Sequence, residues 1–183
     1  MKREDSDGTP DPVEDHATGR RDGTHGIDVE AMDHWDQVIG DMEATAAEYE
    51  DQGWATLQLH PGDVTPLSGE HSDRVGMDVL VPDPEYEALE SMLGSGIEFG
   101  DYRVYKNQQG SVVFALLAME DASTEQAVLV PLFYSVSNPD TMDVLDRARE
   151  EGVLRSYVRR LQGDFVELAH DDPELFGPVD DEE

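Results

Sequence analysis

The 183 residues hold 43 aspartates and glutamates against 12 lysines and arginines, a formal charge of −31. In dilute salt that charge works against a compact state; in molar salt the Debye length drops to about 3 Å and most of the repulsion is screened. No cysteine is present, which excludes disulfides, thiolate catalysis and cysteine-ligated metals.

Residues 1–26 carry acids, Gly, Pro, Thr and Arg, with Val13 and Ala17 the only apolar side chains after Met1. Such a stretch buries too little to offset its ordering entropy, so it reads as a disordered acidic tail. Residues 178–183 read the same way, leaving 27–177 as one domain. The longest unbroken apolar run, Val112 to Met119, is far shorter than a membrane span, and no apolar stretch follows the charged N-terminus. The expectation is a soluble, cytoplasmic protein with no membrane partner.

The first element is a helix over about Asp28–Asp51. Met32, Trp35, Ile39, Met42, Ala46 and Tyr49 recur at steps of three and four. A short strand follows over Trp54–Leu59, then a polar loop, His60–Arg74, broken by Pro61, Gly62, Pro66 and Gly69. Alternation of Val75, Met77, Val79 and Val81 marks a second strand. Pro84 suits the first turn of a helix carrying Tyr86, Leu89, Met92 and Leu93 inward. Three strands come next, at about Phe99–Lys106, Ser111–Glu120 and Gln126–Ser135. The middle one is apolar on both faces, as central strands are, and Pro131 in the third marks an edge or a bulge. A helix capped by Asn138 or Asp140 runs to about Glu151. Residues 153–169 fit a helix or a hairpin; Gly152 and the Gly163-Asp164 turn favour the hairpin.

The resulting order is α-β-β-α-β-β-β-α(-β-β), with about three helices. Short connections make it an α+β domain with a mostly antiparallel sheet of about five to seven strands.

Candidate chemistry is sparse. In the loop, His60, Asp63 and His71 form the best imidazole–carboxylate trio for a divalent transition metal, although Pro61-Gly62-Asp63 also reads as a plain turn. Arg147, Arg149, Arg155, Arg159 and Arg160 cluster, and Arg155 and Arg159 share a face that could hold an anion; pairing with the abundant acids is the simpler reading. Gly94-Ser95-Gly96 leaves a helix rather than entering one, which suits a helix end and not a phosphate loop. No nucleophile elbow and no paired His-Glu helix occurs.

These features favour a non-enzymatic module that binds a protein partner or itself, with Trp35, Met42 and Phe133 as the interaction surface. No cofactor is expected. The alternatives are a ligand-binding, metal-binding or enzymatic role for the His60–Arg74 loop, and, ranked last, nucleic-acid or other anion binding by the arginines.

The blocks HPGDVTPL (His60–Leu67), VGMDVLVPDPEY (Val75–Tyr86), VLVPLFY (Val128–Tyr134) and HDDPELF (His170–Phe176), with Trp54–Leu59, resemble a haloarchaeal family of unknown function over about residues 30–178. The acidic, lysine-poor composition likewise resembles cytoplasmic proteins of haloarchaea. The resemblance implies a domain boundary and dependence on high KCl, and no activity, cofactor or catalytic residue. The thermal midpoint, followed by circular dichroism, should fall steadily as KCl is lowered from molar to about 0.1 M, where the Debye length is about 10 Å. An unchanged midpoint would remove the salt requirement.

Overall fold

A computed structural model describes residues 29–69 and 73–179. The disorder expected for residues 1–26 falls outside them, as does that for 180–183. The chain divides into two compact units after Asp33; of the first, the described residues 29–33 are helical.

The elements are α1 (Val29–Asp51), β1 (Ala55–Gln58), β2 (Asp63–Ser68), β3 (Val75–Leu80), α2 (Asp83–Gly94), β4 (Asp101–Gln109), β5 (Val112–Asp121), β6 (Gln126–Ser135), α3 (Pro139–Glu151), β7 (Leu154–Arg159) and β8 (Phe165–His170), then a 3-10 turn at Pro173–Phe176. The α+β class and the element order are as the sequence indicates. Two findings go beyond it. The strands form two four-stranded sheets, β1-β6-β5-β4 and β2-β3-β7-β8, and the segment expected as a polar loop holds an additional strand, β2. Both sheets are mixed, because β1 runs parallel to β6 and β3 parallel to β7.

β5 and β6 lie at the centre and are buried on both faces. One face of the pair presents Val113, Ala115, Leu117 and Met119 with Val128, Val130 and Leu132. These meet Met77, Val79, Leu154, Val158 and Leu168 of the second sheet, together with Tyr86 and Leu89 of α2 and Val144, Leu145 and Ala148 of α3. The opposite face, with Phe114, Leu116, Ala118 and Leu129, is covered by α1. Val38, Met42 and Ala46, one helical turn apart, are its buried stripe, and Trp35 packs edge-on against Phe133 at 5.1 Å.

Pro131 stands in a central strand, not at an edge. Leu129, two residues earlier and so pointing the same way, gives its carbonyl to the Leu59 amide at 2.9 Å. The side of β6 that lacks a donor at Pro131 therefore faces β1, and β1 has already ended. Locally the proline sits where an edge would be, which is why the sheet tolerates it.

The hairpin reading of residues 153–169 is the observed one. Asn138 accepts the Asp140 amide at 2.9 Å to open α3, and Gly152 closes it in the left-handed conformation at φ 78°. β7 then enters the sheet beside β3. The two backbones come together closely at Gly76, where a β carbon would stand 2.3 Å from the Arg155 carbonyl oxygen.

The last described segment is tied to the first sheet by four hydrogen bonds. The Asp172 amide donates to the Tyr102 hydroxyl at 2.6 Å and Tyr134 donates to the Phe176 carbonyl at 2.8 Å. Lys106 donates to the Gly177 carbonyl at 2.7 Å, and the Val179 amide to Gln108 at 2.8 Å. Beside these bonds His170 closes the seam between the sheets. Its Nε2 lies 3.0 Å from the Ser156 hydroxyl, and the Tyr102 and Phe176 rings pack on it at 5.3 and 5.5 Å. Burial pushes its pKa down to about 4, against a weaker upward pull from Asp171. The imidazole is therefore neutral, a satisfied core group and not a charged one.

Gly76→Ala should lower stability by on the order of 3 kcal/mol, since backbone and not a flexible side chain meets the new atom. Gly40→Ala, at an exposed position of α1 with open space around it, should raise it by about 1 kcal/mol. Denaturant titrations in molar KCl measure both.

The unfolded chain protonates His170 near pH 6.5 and the folded one only near 4. Between those values the unfolded state binds more protons, so stability present above pH 6.5 is lost as pH falls, by about 3 kcal/mol in all. His170→Gln should remove that slope, and the difference between the two pH profiles separates it from carboxylate titration.

Candidate functional site

A helix is about 10 Å across and strands lie about 4.8 Å apart, so one helix covers roughly two strands. α1 covers β5 and β6: His34 packs on Phe114 at 5.7 Å, Trp35 on Phe133, and Tyr49 donates a hydrogen bond to Glu120. On this face β4 is left uncovered, and an open groove of about 410 Å³ runs between α1 and β4. Phe114 and Leu116 form its floor, Ala44 and Thr45 one wall and Tyr105 the other, with Asp41 and Glu48 also lining it.

The alternation of β4 places Arg103, Tyr105 and Asn107 on the groove side and Tyr102, Val104 and Lys106 on the inner side. Tyr105 is 49% exposed, among the most exposed large apolar side chains described. The Arg103 side chain is 61% exposed and stands 3.4 Å from Glu120. Its guanidinium holds its proton more tightly than usual, through Tyr105 first and then the charge of Glu120. Burial, then the bond to Glu120, raises the Tyr49 pKa and keeps that hydroxyl a neutral donor. The groove thus has an apolar floor, acids on the helix side, and Tyr105, Lys106 and Asn107 on the strand side; Arg103 lies further along the same face of β4. It contains no nucleophile paired with a base.

The second sheet turns its outer face away from the core, and the predicted arginines lie there. Arg155, Tyr157 and Arg159 alternate along that face of β7, as the strand reading requires. Carboxylates meet the charges: Arg155 pairs with Glu151 and Glu167, each at 3.1 Å, and Arg159 with the buried Asp78 at 2.7 Å. Arg74 lies 4.0 Å from the same Asp78 and over the rings of Phe165 and Tyr157 at 4.4 and 5.1 Å. Arg160 bridges Glu87 and Asp164, while Arg147 and Arg149 pair along α3 with Asp143 and Asp146. Hydrogen bonds to Glu151 and to Asp164 hold the Arg155 and Arg160 guanidiniums charged beyond the ordinary range. The cluster is a matched ion-pair network.

Of the trio expected to hold a metal, His60 and Asp63 are described and each is bonded to a neighbour. His60 leans on the first turn of α2, its Nδ1 2.7 Å from Glu85 and its amide bonded to the same carboxylate at 2.6 Å. Asp63 accepts the Thr65 hydroxyl at 2.9 Å, and His71 lies outside the described residues. Among the described residues no three His, Cys, Asp or Glu side chains are grouped to hold a metal ion, and no helix is long and apolar enough to cross a membrane.

The expected interaction surface needs correction at Met42. That side chain is completely buried beneath α1, because the helix turns its Val38–Met42–Ala46 stripe to the sheet. Trp35 and Phe133 pack on each other at the half-buried margin. Sequence reasoning passed over Tyr105, although a signal was present: Asp101–Gln109 holds more bases than acids in a strongly acidic chain.

No curated protein and no solved structure matches the chain. One family model matches residues 23–178, a family of unknown function. Those residues take in both sheets, all three helices and the groove, so the chain belongs to the family of unknown function DUF7529.

Proposed function

We propose that the chain is a non-enzymatic association module whose partner-binding surface is the groove between α1 and β4. The carrying observation is the half-exposed Tyr105 beside a groove floored by Phe114 and Leu116, along a strand that has a neighbour on one side only. Aromatic side chains at the lip of an apolar depression are the usual anchors of protein interfaces. The rival sites give less support. The imidazole of His60 is engaged by Glu85, and Arg155 and Arg159 spend their charge on neighbouring carboxylates. An acidic protein working in molar salt gains little from counterion release, the main drive for nucleic-acid binding.

Affinity purification from an extract of the source organism, in molar KCl with quantitative mass spectrometry, tests this reading with three baits. Wild type should retain a stoichiometric protein, another chain or its own untagged copy. Tyr105→Glu should reduce that retention by about thirtyfold, the effect of removing an anchor worth about 2 kcal/mol. Leu161→Glu, at an exposed turn of the other sheet, should retain it fully. Equal retention by wild type and Tyr105→Glu would sink the proposal.

A further inference from the structure

We propose that the occupant of this surface is a second copy of the chain, joined by antiparallel pairing of the two β4 strands about a two-fold axis at Val104. This rests on the association reading above and names its partner. Pairing of this kind merges two four-stranded sheets into one of eight strands and lays each groove beside the other copy.

The four edge strands differ in how they discourage such pairing. β1 is four residues long, β2 contains Pro66, and β8 has six residues. Short length, proline and edge lysines are usual protections of a sheet edge. β4 lacks the first two: it runs for nine residues, without proline and in one-to-one register with β5 throughout, and its one lysine, Lys106, turns to the inner side and donates to the Gly177 carbonyl. Its regular backbone is a template for another strand.

Charge selects the same strand. Two copies of a chain at −31 repel almost everywhere they touch, but Asp101–Gln109 carries one acid, Asp101, and two bases, Arg103 and Lys106. Two β4 strands therefore meet without acid facing acid. An antiparallel two-fold also fixes the pairing of side chains. With the axis at Val104, Arg103 stands opposite the partner's Tyr105, Asp101 opposite the partner's Asn107, and Tyr102 opposite the partner's Lys106. Cation and aromatic ring then face each other across the strands, a favourable cross-strand pair. An axis one residue earlier sets guanidinium against guanidinium; one residue later sets Val104 against Lys106. The groove adds to the match, since Asp41 and Glu48 line it and a second copy brings Arg103 to that side.

Because the chain has no cysteine, single cysteines report the register. Opposed β carbons in an antiparallel pair lie about 4.5–5.5 Å apart, close to the disulfide range. Wild type in molar KCl should scatter light as twice 20.3 kDa. Under mild oxidation, Arg103→Cys mixed with Tyr105→Cys should cross-link, and neither variant should do so alone. Both side chains are about half exposed or more, and circular dichroism checks that the variants fold. A monomeric wild type overturns the proposal, independently of any variant. So does a dimer whose mixed copies fail to cross-link, or whose single variants cross-link alone. A monomer that still loses another protein on Tyr105→Glu overturns self-pairing and leaves the association reading standing. A monomer that captures nothing overturns both.

Discussion

β5 and β6 are apolar on both faces, and every other layer is placed by the need to cover them. One face takes the second sheet together with α2 and α3, the other takes α1. A strand pair of this kind cannot stand at a surface, because each exposed face would leave several large side chains in water at roughly 25 cal/mol per Å². The covering is unequal. A sheet matches a sheet strand for strand, whereas one helix spans about two strands. The bare side of β4 is thus a result of layer geometry, and its sequence has adjusted by alternating polar and half-buried residues.

Charge is arranged with a similar economy. The acids of α1 from Asp33 onward and those of α3 point outward, where solvent and counterions reach them. Most of the described arginines gather on α3, β7 and the face around them, and each pair on that surface contributes little by itself. Asp78 is a different case. Its side chain is 7% exposed, and a carboxylate there needs the guanidinium beside it; removing Arg159 would leave a buried charge without its closest counterion. Tyr157 lies beneath Arg74 and above Gly76, so the aromatic ring, the close backbone approach and the ion pairs form one construction.

Local pattern was readable and long-range pairing was not. The steps of three and four in α1, the alternation of Val75, Met77 and Val79, and the Gly152 and Gly163 breaks each encode a nearby backbone geometry, and those elements are where the pattern puts them. β2 escaped notice because Asp63-Val64-Thr65-Pro66 has the composition of a turn; its partner β3 supplies the strand. Pro131 misled for the same reason. Proline's cost depends on whether a neighbour needs its missing donor, and the length of β1, some seventy residues away, decides that. Arg155 and Arg159 were correctly set on one face with Tyr157 between them. The carboxylate that meets Arg159 comes from β3, and no spacing within β7 announces it. Likewise the stripe of α1 named Met42, but not which way the stripe would turn.

The two parallel pairings have a consequence for the order in which the molecule can be made. β1 meets β6 across Ala55 and Gln126, and β3 meets β7 across Met77 and Ser156. A ribosome delivers the first strand of each pair long before its mate. Through that interval α1 and the early strands hold apolar stripes with nothing to bury them, the condition under which nascent chains adhere to one another. Each sheet is complete only late in synthesis: the first once β6 has been delivered to Ser135, the second once β8 has been delivered to His170.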